Sequence, residues 1–385
     1  MNDLKIEKVE LFKVPPRWLF LKTTTKCGIV GWGEPVVEGK ADTVAACIKE
    51  LEQYIMGRNA NNIEDIWQIL YRGGFYRGGP ILMSAISGID QALWDIKGKY
   101  LNVPVHELLG GAVRQKMKMY CWIGGDNPEV VLDQATKKIN AGFNAVKMNA
   151  TGGMEWVSSI KDIKNVANNI KLLREEFGYE LDIGLDFHGR VHKPMVKRLI
   201  DELAPYEPMF IEEPVLSENN DALRHIYQYT NIPIATGERM FSRWDFKEIL
   251  HQGVVDIIQP DLSHAGGISE VRRIATMAEA YDIAIAPHCP LGLISLASAL
   301  HLDFVSSNAI IQESSLGIHY NRGYDILDYV LNPEVFNVED GSINLLTKPG
   351  LGIEINEEKL KEGQKIGHNW ANPIWRNPDG NFAEW

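Results

Sequence analysis

The chain has 385 residues, a formal net charge of −12 and an isoelectric point near 5.4. This acidic balance argues against nucleic acid or an anionic membrane as a partner, because both require a basic surface. It leaves room for a small anionic ligand, since a metal ion and a few local cations can reverse the field inside a pocket.

Cysteine usage and hydropathy favour a cytoplasmic protein. The four cysteines form no CxxC pair, which is typical of reduced thiols (Cys27, Cys47, Cys121 and Cys289). The first residues lack the apolar core of a signal peptide, and no stretch is long and apolar enough to span a bilayer.

The N-terminal part of the chain changes from strand to helix patterns. Residues 18–25 are apolar and β-prone, Gly28 supplies a turn, and residues 29–32 return as a second strand. Apolar residues then recur at helical spacing in two segments, at Val44, Ile48, Leu51 and Ile55 and at Ile86, Ile89, Leu93 and Ile96. We expect an α+β domain over residues 1–115.

From residue 116 the pattern alternates between strands and helices. Eight candidate strands cover residues 117–122, 145–149, 182–188, 209–212, 233–238, 256–262, 284–288 and 309–313. Eight parallel strands with helical connections are the number that a βα barrel needs. We therefore expect a barrel over residues 116–344, and a tryptophan-rich tail, about 345–385, that packs back on the first domain.

Three of these strands end in a carboxylate at equal intervals. Asp186, Glu212 and Glu238 are spaced by 26 residues, about the length of one βα unit. Strand ends in a closed barrel open onto one face, so the three acids are expected to meet there. Because bare carboxylates repel each other, a hard divalent cation is the expected partner, and Mg²⁺ suits such ligands.

Further polar residues at strand ends point to acid–base chemistry. His188 lies two residues after Asp186, whereas His288 ends the seventh strand, on the opposite side of the barrel mouth. Asp261 ends the neighbouring strand and is placed to orient the ring of His288. Glu313 ends the last strand. Two histidines facing each other across a metal suit proton removal on one side and proton donation on the other.

On the second strand, Lys147 and Asn149 share a face, and Lys147 is expected to meet an anion or a carbonyl. His319, in the loop after the last strand, is a further candidate for contact with a substrate. We interpret the remaining histidines as solvated or structural: His192, His225, His251, His264 and His301.

Long motifs across nearly the whole chain resemble the enolase superfamily, in its mandelate racemase subgroup. They are PPRW at 15–18, FYRGGP at 75–80, GLDFHG at 184–189, FIEEP at 210–214, GERMFS at 237–242, QPDLSHAGG at 259–267, APHCPLG at 286–292 and AEW at 383–385. One local departure is Leu293, where the resemblance implies proline.

The resemblance implies a fold and a role for each candidate. The fold is a modified (β/α)8-type barrel, (β/α)7β, capped by an α+β domain whose loops near Arg17 close over the substrate. Asp186, Glu212 and Glu238 match the metal ligands. His288 with Asp261 matches the base and His188 the acid, while Glu313 matches the enolate stabiliser and is expected to act as a protonated hydrogen-bond donor. Lys147, Asn149 and Arg17 are expected to bind substrate.

The function implied is Mg²⁺-dependent dehydration of a sugar acid, with D-galactonate as the first candidate substrate and a homo-oligomer as the expected assembly. Dehydration of another 2R sugar acid such as D-gluconate stays open. A 2-hydroxy-acid racemase or epimerase needs a base on each face. The racemases carry a lysine at the position of Asn149, and an amide takes no proton, but His188 could serve as the second base, so this alternative stays open. A non-catalytic binding protein on the same fold should have lost a ligand or base, and none is lost.

Overall fold

A computed structural model describes residues 4–124, 128–318, 321 and 323–384. The chain begins with an antiparallel sheet in the order β1-β2-β3. Its strands are β1 (Ile6–Val14), β2 (Trp18–Thr25) and β3 (Val30–Gly33). Helices follow as α1 (Ala41–Ile55), α2 (Ile63–Arg72), α3 (Pro80–Leu101) and α4 (Val105–Leu108).

A parallel sheet forms the second layer. Its strands are β4 (Lys116–Trp122), β5 (Ala145–Asn149), β6 (Asp182–Asp186), β7 (Phe210–Glu212), β8 (Ile234–Thr236), β9 (Ile257–Ile258), β10 (Ala284–Ile285) and β11 (Gln312–Ser314). The connecting helices are α5 (Pro128–Asn140), α6 (Ile160–Phe177), α7 (Lys193–Leu203), α8 (Leu223–Tyr227), α9 (Arg243–Gln252), α10 (Gly267–Glu279) and α11 (Leu293–Val305).

The order of these strands closes the sheet into a barrel. Neighbouring strands run β10-β9-β8-β7-β6-β5-β4-β11, and a parallel bridge between Ile285 and Ala309 joins the two ends. A short strand, β12 (Ser342–Asn344), pairs antiparallel with β4. The predicted modified barrel with an α+β capping layer is confirmed.

Several strands are shorter than the sequence predicted. The strand that contains Asp186 ends at that residue, so His188 lies in the following loop with a φ of 48°. Glu238 likewise follows β8, after Gly237. Strand alternation therefore does not explain why His188 and Asp186 meet, and the loop conformation does.

Side chains inside the barrel lie in two levels. The lower level is a small apolar cluster made of Tyr120, Ala145, Phe210, Ala235, Ile257, Ala286 and Ile311. Two residues further along five of these strands come polar residues, namely Trp122 after Tyr120, Lys147 after Ala145, Glu212 after Phe210, Gln259 after Ile257 and Glu313 after Ile311. Since alternate residues of a strand share a face, the polar level lies above the apolar one, at the carboxyl ends of the strands.

The long helix α3 joins the two layers. It packs against β3 on one side and against α10 of the barrel on the other. Its contact with the sheet is close at Gly33, where a Cβ would lie 1.9 Å from Gly88 O. Near the C-terminus, α12 (Glu357–Ile366) packs against β1. Among the described residues, no helix has the length and apolarity needed to cross a membrane.

Candidate active site

The three spaced carboxylates meet at the mouth of the barrel. Asp186 and Glu212 are direct neighbours in the register of β6 and β7, and both are fully buried. Ligand atoms of Asp186, His188 and Glu238 lie within 4.8 Å of one another. Glu212 is not part of that group; Lys147 Nζ lies 2.9 Å from its Oε2, and Gln259 Nε2 donates to the same oxygen at 2.7 Å.

The electrostatics of this cluster fit a divalent cation. Burial, with Glu213 and Asp186 nearby, raises the pKa of Glu238 well above its usual value. Burial and Asp186 also raise the pKa of Glu212. Glu238 Oε2 is buried and accepts no hydrogen bond from the described residues. Carboxylate oxygens are the ligands that Mg²⁺ prefers, and a cation here would offset their repulsion.

His288 is oriented by a carboxylate. Its Nδ1 lies 2.8 Å from Asp261 Oδ2, and Asp261 Oδ1 accepts a hydrogen bond of 2.6 Å from Ser263 N. The Nδ1 contact leaves Nε2 on the cavity side, 3.3 Å from Glu238 Oε2. Burial opposes the charged ring, but Glu238 and Asp261 outweigh it and raise the pKa of His288 well above its usual value.

His188 stands against the other end of the carboxylate cluster. Its Nε2 lies 2.9 Å from Asp186 Oδ2, and its backbone N–H donates to Asp186 Oδ1 at 2.8 Å. Burial acts to raise the pKa of Asp186, but His188 and Lys147 lower it below its usual range. The ring packs 5.5 Å from that of Trp122, which also lines the cavity.

Lys147 links the acids at the centre of the site. Its ammonium is 3.0 Å from Glu313 Oε1 as well as 2.9 Å from Glu212. Burial opposes its charge, yet Glu212 and Glu313 raise the pKa of Lys147 well above its usual value. Glu313 Oε2 accepts a hydrogen bond from Cys289 N at 2.9 Å. One Glu313 oxygen thus faces the Lys147 ammonium and the other the Cys289 N–H, and its role as enolate stabiliser stays a prediction.

A cavity of about 640 Å³ opens above these groups. Asn149 lines it, and its Oδ1 is buried without a hydrogen bond from the described residues. Arg17 lines it too, where Nη1 donates to Glu38 at 2.8 Å and Nη2 to Pro290 O at 2.7 Å. All ten predicted site residues therefore lie in this cavity or contact a residue that lines it, and their roles stay predictions.

Some residues that the sequence analysis passed over also line the cavity. His264, which we interpreted as solvated or structural, is buried with Nε2 3.6 Å from Glu38 Oε2 and 3.8 Å from Asp261. Arg190 and Arg239 belong to the same wall. His264, Arg190 and Arg239 each follow a predicted site residue by one to three positions in the sequence. That proximity is the sequence signal that could have identified them. His319 lies outside the described residues.

Two family models match the chain. Residues 15–110 match the mandelate racemase / muconate lactonizing enzyme N-terminal domain, and residues 130–359 match the enolase C-terminal domain-like family. Together they cover most of the capping layer and the barrel, with strand β4 lying between the two matches.

Individual proteins are similar to this chain over nearly its full length. A D-galactonate dehydratase from Pectobacterium atrosepticum is 57% identical over 382 residues, which cover 99% of this chain and 100% of that protein. A crystal structure of an enolase from Agrobacterium radiobacter, with sodium and L-malate bound, superposes with a TM-score of 0.90 at 31% identity, covering 99% and 100% of the two chains. A mandelate racemase/muconate lactonizing enzyme from Sulfitobacter gives 0.89 at 28%, covering 97% and 99%.

Proposed function

Because the chain belongs to the mandelate racemase and muconate lactonizing enzyme family of the enolase superfamily, we propose that it converts D-galactonate to 2-dehydro-3-deoxy-D-galactonate with Mg²⁺ as its cofactor. The chain is a sugar-acid dehydratase, and therefore a hydro-lyase. The choice of D-galactonate, of Mg²⁺ and of the individual residues is the proposal.

The observation that carries the proposal is the position of two histidines on either side of one carboxylate cluster. His188 contacts Asp186 and His288 contacts Glu238, and these two acids approach within 4.8 Å. A substrate carbon held over the cluster would meet one imidazole on each side. That arrangement supports removal of the C2 proton from one face and protonation of the leaving 3-hydroxyl from the other.

The base is His288. A cation bound by Glu238 would offset the charge that raises the pKa of His288, and the neutral ring, with its proton on Nδ1 towards Asp261, would then present the lone pair of Nε2 to the C2 proton. Asp261 also stabilises the imidazolium that forms. Asn149 lines the cavity and offers no second base, which argues against racemisation through that position.

Negative charge builds on the substrate carboxylate as the C2 proton leaves. A bound divalent cation, held by Asp186, Glu238 and Glu212, would supply most of the compensating charge. Lys147 adds a fixed ammonium beside Glu212, and Glu313 holds the ammonium in place. Because these charges are already in place in a buried site, little rearrangement is needed during the reaction.

The final step belongs to His188. Its ring is held by Asp186, with Nε2 2.9 Å from Oδ2, and it donates a proton to the departing 3-hydroxyl. Loss of water from C3 gives an enol, which becomes the 2-keto acid. Arg17, Arg190 and Arg239 add positive charge around the cavity, which suits an anionic substrate.

The decisive experiment incubates the protein with D-galactonate, D-gluconate and other acid sugars, with Mg²⁺ present, and measures 2-keto acids by semicarbazide absorbance and proton NMR. We expect keto acid from D-galactonate, with loss of activity in excess EDTA. Inversion at C2 without keto acid would establish the racemase alternative, and full activity in EDTA would overturn the role of the metal.

A further inference from the structure

The C-terminal tail lines the same cavity as the residues of the barrel mouth. Five tail residues line the cavity: Trp370, Ala371, Asn372, Pro373 and Trp375. Both tryptophans are half-buried, and Asn372 is exposed. Lys147, His188 and His288 of the barrel line the same cavity. Tail and barrel mouth therefore line one continuous space.

Contacts on both layers hold the tail in this position. His368 Nε2 lies 3.3 Å from Trp18 O, on the capping sheet. The ring of Trp375 lies 4.5 Å from the guanidinium of Arg190, on the barrel. Arg190 is itself buried and donates to Thr151 O at 2.9 Å. Asn372 lies against the 37–39 loop, because a Cβ at Gly39 would be 3.0 Å from its Oδ1.

The structure of the substrate determines which of its groups face the tail residues. Resting on the proposed function, the carboxylate, C2 and C3 of the sugar acid lie at the barrel mouth. The rest of a six-carbon acid carries only hydroxyls and C–H groups, and it must extend into the remaining cavity. An amide both donates to and accepts from hydroxyls, and an indole ring packs against C–H groups.

We propose that the tail segment 370–375 is the subsite that binds the distal end of the sugar acid, carbons C4 to C6. Asn372 hydrogen-bonds a distal hydroxyl. Trp375, whose ring is held against the guanidinium of Arg190, packs against the carbon chain. Binding energy gained here holds the reacting carbons between the two histidines, since remote contacts are used to orient the reacting centre.

The test compares a long acid with a short one. D-glycerate has the carboxylate, the 2-hydroxyl and the 3-hydroxyl but no carbon beyond C3, so it cannot reach the tail. We would measure kcat/KM for D-galactonate, and the inhibition constant of D-glycerate as a competitive inhibitor, in Asn372→Ala and Trp375→Ala. Ile374→Ala is the matched control, because Ile374 is on the same segment, is 73% exposed and does not line the cavity.

We expect kcat/KM for D-galactonate to fall at least about tenfold in both variants, a change of ~1.4 kcal/mol. The inhibition constant of D-glycerate should stay within about twofold, and Ile374→Ala should match the wild type. Unchanged kcat/KM in Asn372→Ala and Trp375→Ala would overturn the subsite, as would an equal loss for both acids or an equal loss in the control. A wild type inactive on D-galactonate would reject the proposed substrate alone, and the comparison would then use the six-carbon acid that it does dehydrate.

Discussion

Glu34, directly after strand β3 of the capping sheet, accepts a hydrogen bond of 2.6 Å from the backbone N–H of Gly292 in the barrel. Its other oxygen accepts from Ser295 N at 3.0 Å. Glu34 is fully buried, and burial raises its pKa to about 8 in spite of both donors. The carboxyl of one layer thus caps helix α11 of the other, four residues after His288.

Replacing Glu34 should therefore affect both stability and catalysis. Glu34→Ala leaves two buried N–H groups without an acceptor, and we expect a loss of about 1–3 kcal/mol in the free energy of unfolding. Because the loop that carries His288 loses its anchor, kcat should also fall. Urea unfolding and steady-state kinetics measure the two effects. The control Asn356→Ala removes the exposed cap of α12, whose Oδ1 accepts from Lys359 N, and should leave kcat unchanged. A normal kcat in Glu34→Ala would contradict the coupling.

Leu293, where the resemblance implied proline, should tolerate that residue. It is the first residue of α11, and the first N–H of a helix has no partner within the helix. Gly292 has φ −85° and ψ −172°, an extended conformation that suits a residue before proline. We expect kcat of Leu293→Pro to stay within about tenfold of the wild type. Leu296→Pro is the contrast, because it removes the bond from Leu296 N to Gly292 O and should unfold the helix. A loss of several orders of magnitude in Leu293→Pro would show that this position shapes the site.

Glu212→Gln should fold and lose activity. The amide keeps the shape of the side chain but removes the charge that faces Lys147 and the expected cation, so kcat/KM should fall by about 10²- to 10³-fold. Circular dichroism should match that of the wild type. Glu202→Gln is a control at an exposed pair with Lys164 and should change neither quantity. Retention of full Mg²⁺-dependent turnover by Glu212→Gln would remove this residue from the metal site.

The two histidines should separate the chemical steps. In D₂O, His188→Asn should still exchange the C2 hydrogen of D-galactonate, because His288 remains, while forming little keto acid. His288→Asn should do neither, since Asn149 supplies no base on the other face. An acid with the opposite configuration at C2 should be neither exchanged nor dehydrated. Proton NMR with each variant measures both steps, and exchange by His288→Asn would reverse the assignment.

The free energy of unfolding should fall with rising pH because of a buried acid, Asp90, that does not line the cavity. Burial raises the pKa of Asp90 to about 7, against hydrogen bonds from Ser269. Between about pH 4 and 7 the native state keeps this proton and the unfolded chain loses it, so the contribution of Asp90 to the free energy of unfolding falls as pH rises. We expect the difference between Asp90→Asn and the wild type to grow in favour of the variant between about pH 5 and 7.5 in urea unfolding. Asp65→Asn, at an exposed position, should show no such trend, and a pH-independent difference for Asp90→Asn would contradict the expectation.

The sequence alone determined the strand end at which each acid lies and therefore the face on which the acids meet. Equal spacing of Asp186, Glu212 and Glu238 depends only on the length of a βα unit, and alternation along β5 places Lys147 and Asn149 on one side. Both are local properties of the chain, and the closed sheet confirms the architecture that they implied.

Only the tertiary structure decided which partner each group meets. Contacts such as Glu34 with Gly292, Arg17 with Pro290 O and Trp375 with Arg190 join segments far apart in the chain. Their distances depend on how the capping layer and the tail pack on the barrel. Likewise, Glu313 accepts from Lys147 and Cys289 because three separate strand ends converge, and no local pattern encodes that convergence. The spacing of apolar residues along the sequence indicates which side of a helix or strand faces the interior. Contacts between helices and strands, in contrast, depend on the packing of the whole chain.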